Sequence, residues 1–188
     1  HTIRFGLASI DKSTEIFTED GYRIWKLLGL LGDVYRRDIQ YPMDKQDTDP
    51  MRFLRSYYAD HAVLYRRDIN AKQEDLGTFS LPIEKEAVSI DTFDVSILAS
   101  KYGGFTAIGH YVLPGETFSI TRTDELDLSV SVMINTQRTG STREFNEDQY
   151  DRPKFLQSPS IPLPSGETVT LTSPYGGTLQ LMVSESET

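Results

Sequence analysis

The chain has 188 residues, 38% hydrophobic and 25% charged, and no cysteine. That is enough to bury a core without disulfides, and it excludes thiolate nucleophiles, cysteine-ligated zinc and iron–sulfur clusters. Nineteen basic against 28 acidic residues give a net charge of −9, the wrong sign for a nucleic-acid backbone, so no nucleic-acid partner is expected. The longest apolar run, Leu27 to Leu31 with a glycine inside it, falls far short of the ~20 residues that cross a bilayer, so no membrane span is expected. The first residue is His1 and no signal-type sequence follows it, which reads as a processed or excised piece of something longer.

The first helix is predicted from the recurrence of Ile24, Leu27, Leu28, Leu31, Val34 and Tyr35 at three and four, one apolar face directed at a core. Thr18 is its expected cap, with Glu19 and Asp20 in the first turn where the helix dipole favours anions. A polar, proline-containing loop from Gln40 to Thr48 follows. Asp49-Pro50 then opens a second helix, an acidic cap before a proline whose missing N–H costs nothing at the first helical position. Its apolar face is expected to be Met51, Leu54, Tyr58, His61 and Tyr65. The two helices are expected to end alike, in Tyr35-Arg36-Arg37-Asp38-Ile39-Gln40 and Tyr65-Arg66-Arg67-Asp68-Ile69-Asn70. Two copies are too few for a solenoid, so the expectation is an antiparallel helical hairpin.

The composition shifts near Gly77. Residues 1–76 carry 12 basic and 13 acidic residues, 4 glycines and 2 prolines, whereas residues 77–188 carry 7 and 15, with 9 glycines and 7 prolines. From Ala87 the apolar period falls to two, most cleanly at Leu126, Leu128, Val130 and Val132. Turn signals stand at Gly103-Gly104, Pro114-Gly115, Thr139-Gly140, Ser165-Gly166 and Gly176-Gly177. Strands are expected at 86–98, 105–113, 116–123, 126–135, 154–158, 167–173 and 178–184, with no helical pattern between them. The predicted fold class is α+β, an N-terminal helical hairpin over residues 1–76 followed by an antiparallel β-sandwich domain over residues 77–188. The polar stretch from Gln137 to Asp151 is the longest interruption and is expected to be an end loop, where binding residues tend to sit.

Catalytic patterns are sparse. The only histidines are His1, His61 and His110, and there is no HExxH for zinc, no G-x-S-x-G nucleophile elbow and no phosphate-cradling glycine loop. His61 and His110 are expected as packing residues, as is the single tryptophan, Trp25. Asp44, Asp47 and Asp49, or Asp124, Glu125 and Asp127, supply oxygens of the kind calcium takes, but neither set matches a calcium loop and both read as caps and solvated turns. Glu144, Glu147, Asp148 and Asp151 crowd beside Arg143 and Arg152, yet loop spacing fixes no distance between them. Tyr102, Tyr150 and Tyr175 stand next to loops. The candidate glycan-binding residues are Tyr150, Arg143 and Tyr175; the alternative for the tyrosines is packing at sandwich corners.

Two strings carry a family likeness. Gly109-His110-Tyr111-Val112-Leu113-Pro114-Gly115-Glu116-Thr117-Phe118-Ser119-Ile120 resembles the strand-turn-strand that begins enhancin-like, mucin-degrading zinc metallopeptidases. Ser173-Pro174-Tyr175-Gly176-Gly177-Thr178-Leu179 resembles that group's later proline-tyrosine-glycine-glycine turn. Ile134 to Arg138 and Arg152 to Gln157 are similar to the same region of its immunomodulating metalloprotease and accessory-colonization-factor branch. The likeness covers roughly residues 100–184, and more weakly the helical part. It implies a bacterial, secreted or cell-surface setting, O-glycosylated host proteins as targets, and a sandwich that precedes the catalytic domain. Zinc, an HExxH helix and a downstream glutamate then belong to sequence outside this chain. The resemblance therefore implies no catalytic residue, no metal ligand and no cofactor within these residues. The implied partners are the catalytic domain of the same polypeptide and host glycoproteins. A stand-alone carbohydrate-binding or adhesion module is the competing expectation.

Overall fold

A computed structural model of the chain describes residues 16–17, 19–77, 92–98, 104–135, 149–153 and 156–185. The elements in chain order are α1 (Arg23–Arg36), β1 (Met43–Asp44), α2 (Pro50–His61), β2 (Phe105–Val112), β3 (Thr117–Thr121), β4 (Leu128–Asn135), β5 (Gln149–Tyr150), β6 (Ile161–Pro162), β7 (Thr168–Thr172) and β8 (Gly177–Glu185). All strand pairing is antiparallel, in a four-stranded sheet of order β2-β8-β4-β6 and two ribbons, β3-β7 and β1-β5. The α+β class with a helical start and a β-sandwich is therefore as the sequence pattern indicates.

The sandwich forms because period-two apolar residues on the two sheets face one another. Val112, Val132, Ile134, Ile161 and Leu179 of the large sheet bury against Val169 and Leu171 of β7, with Phe118 and Ile120 of β3 packed alongside. On its other face the β3-β7 ribbon carries paired hydroxyls: Thr117 with Thr172, Ser119 with Thr170 and Thr121 with Thr168, at 2.8, 2.9 and 2.8 Å. The Pro114-Gly115 turn joins β2 to β3 as expected. Gly115 has φ +75°, and a Cβ there would lie 2.5 Å from the Lys72 side chain, so only glycine fits both the left-handed turn and the close approach. Beyond β3, Arg122 donates to the carbonyls of Leu126 and Leu128 and to Asp124, tying down the connection to β4.

Several expectations need correction. α1 has Tyr22 at its N-cap position with no side-chain cap, and Thr18 lies outside the described residues. Its predicted core face is divided: Ile24, Leu27 and Val34 are 71%, 65% and 53% exposed, whereas Leu28 and Tyr35 pack against buried clusters. What it buries is Gly29, Gly32, Asp33 and Arg36, spaced i, i+3, i+4, i+7 on the opposite face. The reason is close approach, since a Cβ on Gly32 would meet the Ala62 Cβ at 2.9 Å and one on Gly29 would meet the Leu64 side chain at 2.6 Å. Only glycine at these two positions lets the segment after α2 come so near.

α2 opens as predicted, with the Asp49 carboxylate accepting from the Arg52 amide at 3.0 Å and Pro50 in the first turn. It ends at His61, however, so Tyr65 to Asn70 is irregular chain and not a second helix end. Met51 and Leu54 of its predicted apolar face are exposed, whereas His61 is buried and stacks on Tyr57. Among the strands, 92–98 shows no regular structure and residues 86–91 lie outside the described residues; of the strand expected at 154–158, residues 154–155 also lie outside them and 156–158 hold only an isolated bridge at Gln157, with β6 three residues further on.

Candidate functional site: the joint between helices and sandwich

Chain from both sides of Gly77 meets in one place. Val63, Tyr65 and Leu76 belong to the same buried cluster as the sandwich residues. The Thr172 amide donates to the Tyr65 carbonyl at 2.9 Å, the Thr172 hydroxyl to the Arg67 carbonyl at 2.7 Å, and the Gln73 amide to the Pro174 carbonyl at 2.9 Å. β1 pairs with β5, Met43 opposite Tyr150. The backbone groups that irregular chain leaves open are thus satisfied across the joint rather than within either part.

At the centre lie four buried charges. Arg67 grips Asp33 with two hydrogen bonds of 2.7 and 2.8 Å, and Arg36 donates to the same carboxylate at 2.9 Å. Arg36 also donates to the carbonyls of Ala59 and Ala62, and its own carbonyl accepts from the Gln73 amide group. Asp60 is equally buried and acts, like Arg36, on the tyrosines around the cluster. Charges taken out of water are tolerable only when paired and hydrogen-bonded in this way.

Three tyrosines ring the cluster. Burial is the first cause that raises the Tyr41, Tyr65 and Tyr175 hydroxyls above the usual value of 10.0. Asp60 adds to the rise at all three, and Arg36 opposes it. Burial penalises a phenolate, so each stays neutral far into the alkaline range.

The sequence-predicted site residues do not gather. Tyr175 is 0% exposed and its hydroxyl sits beside the Arg36 guanidinium. A ring so enclosed cannot stack on a sugar, which corrects its place among the glycan candidates; the Gly176 turn, with φ +63°, folds it inward. Tyr150 lies in β5 at the joint. Arg143, Glu144, Glu147, Asp148 and Tyr102 lie outside the described residues. The acidic groups weighed for calcium have local tasks: Asp44 accepts from the Gln46 amide, Asp49 caps α2, and Asp124 is held by Arg122, whose hydrogen bond keeps its carboxyl below the usual range.

Zinc does not fit here. Among the described residues no three of His, Asp and Glu come together as a metal would need. The Nδ1 of His61 lies 2.9 Å from the Tyr57 carbonyl, and the His110 ring stacks on Phe93. The same described residues contain no helix long and apolar enough to cross a membrane.

A polar depression of about 470 Å³ opens beside the charged cluster, lined by Asp33, Arg37, Asn70, Ala71, Lys72 and Glu74. The sequence marks Arg36, Tyr65, Arg67, Tyr150 and Tyr175 for other reasons and does not bring them together as a joint; Gly29, Gly32, Asp33 and Arg36 at helical spacing are the signal for it.

Comparison with known proteins covers almost the whole chain. Residues 1–68 match the family described as the immunomodulating metalloprotease helical domain, and residues 83–188 match the N-terminal domain of M60-like peptidases. An immunomodulating metalloprotease of Pseudomonas aeruginosa is 41% identical over 179 residues, which are 92% of this chain and 19% of that protein. The structure of IMPa from P. aeruginosa in complex with an O-glycopeptide superposes with a TM-score of 0.81 at 39% identity, over 98% of this chain and 21% of that one. The IMPa metallopeptidase in complex with T-antigen superposes at 0.77 and 36% identity, with the same coverage. This chain therefore spans about a fifth of the length of the relatives it matches.

Proposed function

The chain belongs to the M60-like peptidases as their N-terminal domain, and from that premise we propose that it is the non-catalytic brace of a zinc metalloendopeptidase directed at O-glycosylated, mucin-type proteins. The single observation that carries the bracing role is the joint: the segment after α2 places Val63, Tyr65 and Leu76 in the sandwich core and, through Arg67, grips the Asp33 carboxylate of α1, which ties the helical part to the sandwich as a body against which a larger domain can be held. Zinc polarisation of the peptide carbonyl and activation of water belong to the rest of such a polypeptide. An extracellular setting, secreted or on a bacterial surface, fits a substrate of that class.

The test is cleavage of an O-glycosylated protein by the 188-residue chain, by the longer polypeptide of its coding sequence, and by that polypeptide lacking these residues. Cleavage by the longer protein alone, weakened by the deletion, is expected; cleavage by the isolated chain would overturn the reading. A contribution to substrate binding, through Tyr150 and Arg143, is the finer part of the proposal, and the O-glycopeptide and T-antigen complexes of the IMPa relatives make it worth testing. An O-glycopeptide titrated into the chain should bind saturably and lose affinity with Tyr150→Ala or Arg143→Ala. No saturable binding would remove that part and leave the brace.

A further inference from the structure

We propose that Asp20-Gly21 is a site of spontaneous covalent modification, where the Asp20 side chain is drawn into the backbone and leaves an isoaspartate at the entry to α1; this is independent of the bracing role above. The sequence holds a single Asp-Gly pair and no Asn-Gly. The reaction needs only the chain and water. The Gly21 amide nitrogen attacks the Asp20 carboxyl carbon, a C–N bond forms, and the displaced hydroxyl leaves as water with the amide proton, giving a five-membered succinimide. Water then opens that ring. Attack at the α-carbonyl breaks the original backbone C–N bond and leaves the chain running through the Asp20 Cβ and Cγ, with a free α-carboxylate. Mass and charge are unchanged, and the backbone is one carbon longer just before the helix.

The fold leaves both reacting groups open. Asp20 and Gly21 are exposed and lie in the turn before α1. Helical bonding begins with the Lys26 amide on the Tyr22 carbonyl, so the pair stands outside the ladder. Around Gly21 there is open space where a Cβ would stand, so nothing crowds the nitrogen. The Lys26 ammonium donates to the Glu19 carbonyl, and among the described residues no hydrogen bond holds the Asp20 carboxylate or the Gly21 amide. Other aspartates lack one requirement or another. Asp33 and Asp60 are buried. The carboxylates of Asp44, Asp75 and Asp124 are held by nearby amides or by Arg122, and Asp49 precedes Pro50, which has no amide proton. Asp47 and Asp94 are as exposed as Asp20, but Thr48 and Val95 follow them, and a β-branched side chain obstructs the attack.

The test is to hold the 188-residue chain at neutral pH in water enriched in heavy oxygen, beside a synthetic peptide of residues 16–25 that has no fold to protect it. Electron-transfer mass spectrometry of digests locates each isoaspartate, and the heavy oxygen marks every ring that has opened. The isomer should accumulate at Asp20 about tenfold or more faster than at Asp47 or Asp94, and within about tenfold of the rate in the peptide. Methyl transfer by a protein isoaspartyl methyltransferase should rise in step with it. An unmodified Asp20, a rate there more than about tenfold below the peptide's, or equal accumulation at Asp94 overturns the assignment. Gly21→Val, with circular dichroism to check folding, should slow the change at Asp20 by about tenfold or more, and a smaller effect also overturns it. If that variant does not fold, the comparison of chain with peptide decides alone.

Discussion

Asp33 accepts hydrogen bonds from two buried arginines at once, so its removal leaves two guanidinium groups without their shared counter-charge. Asp33→Ala is expected to cost about 3–5 kcal/mol, measured as a lower urea midpoint with an unchanged slope. Gly32 makes a different demand, for space. Gly32→Val drives a branched side chain into Ala62, already 2.9 Å from an imagined Cβ, and should cost about 2–3 kcal/mol by urea unfolding, overpacking outweighing any gain in helix propensity. Neither residue stood out in the sequence, because an aspartate on an amphipathic helix ordinarily reads as solvated. Tyr175 was misplaced for a related reason: a tyrosine beside Gly-Gly reads as a corner residue, and only the path of the turn shows which way the ring points.

At the scale of elements, the strands were more legible than the helices. β2, β3, β4, β7 and β8 fall within one or two residues of their expected ends, since alternation in a sheet with one buried face states both existence and orientation. The two-residue strands β1, β5 and β6 are too short to carry a period. α1 was visible as a helix, but only part of its predicted face, Leu28 and Tyr35, meets the core, while Ile24, Leu27 and Val34 stay exposed. The apolar stripe shows that a helix has two unlike faces; it does not say whether the apolar one meets this chain or another. The hexapeptides at Tyr35 and Tyr65 match in letters without matching in structure. Arg36 and Arg67 reach the same carboxylate from non-equivalent positions, one in a helix and one beyond a helix end.

For the molecule as a whole, the joint predicts a single unfolding event, because the segment after α2 is built into the sandwich core and bound to α1. Trp25 is the only tryptophan and reports the helical part, while far-ultraviolet circular dichroism includes the sandwich; the two heat-melting curves should coincide, and two separated midpoints would dissociate the parts. The alkaline limit follows from Tyr41, Tyr65 and Tyr175, of which Tyr65 and Tyr175 are fully buried. Their folded-state values lie above 10.0, so only the unfolded chain releases these protons near pH 10; stability is full below that value and falls as pH rises beyond it. Tyrosinate absorbance should show a late component that appears together with loss of structure. The joint also sets an order in time. Thr172 and Arg67, which close it, are 105 residues apart, and at about 5–20 residues per second of synthesis the ribosome adds the second roughly 5–20 s after the first. For that interval the nascent helices have no sheet to close against, and completion of the N-terminal part waits on the last strands to be made.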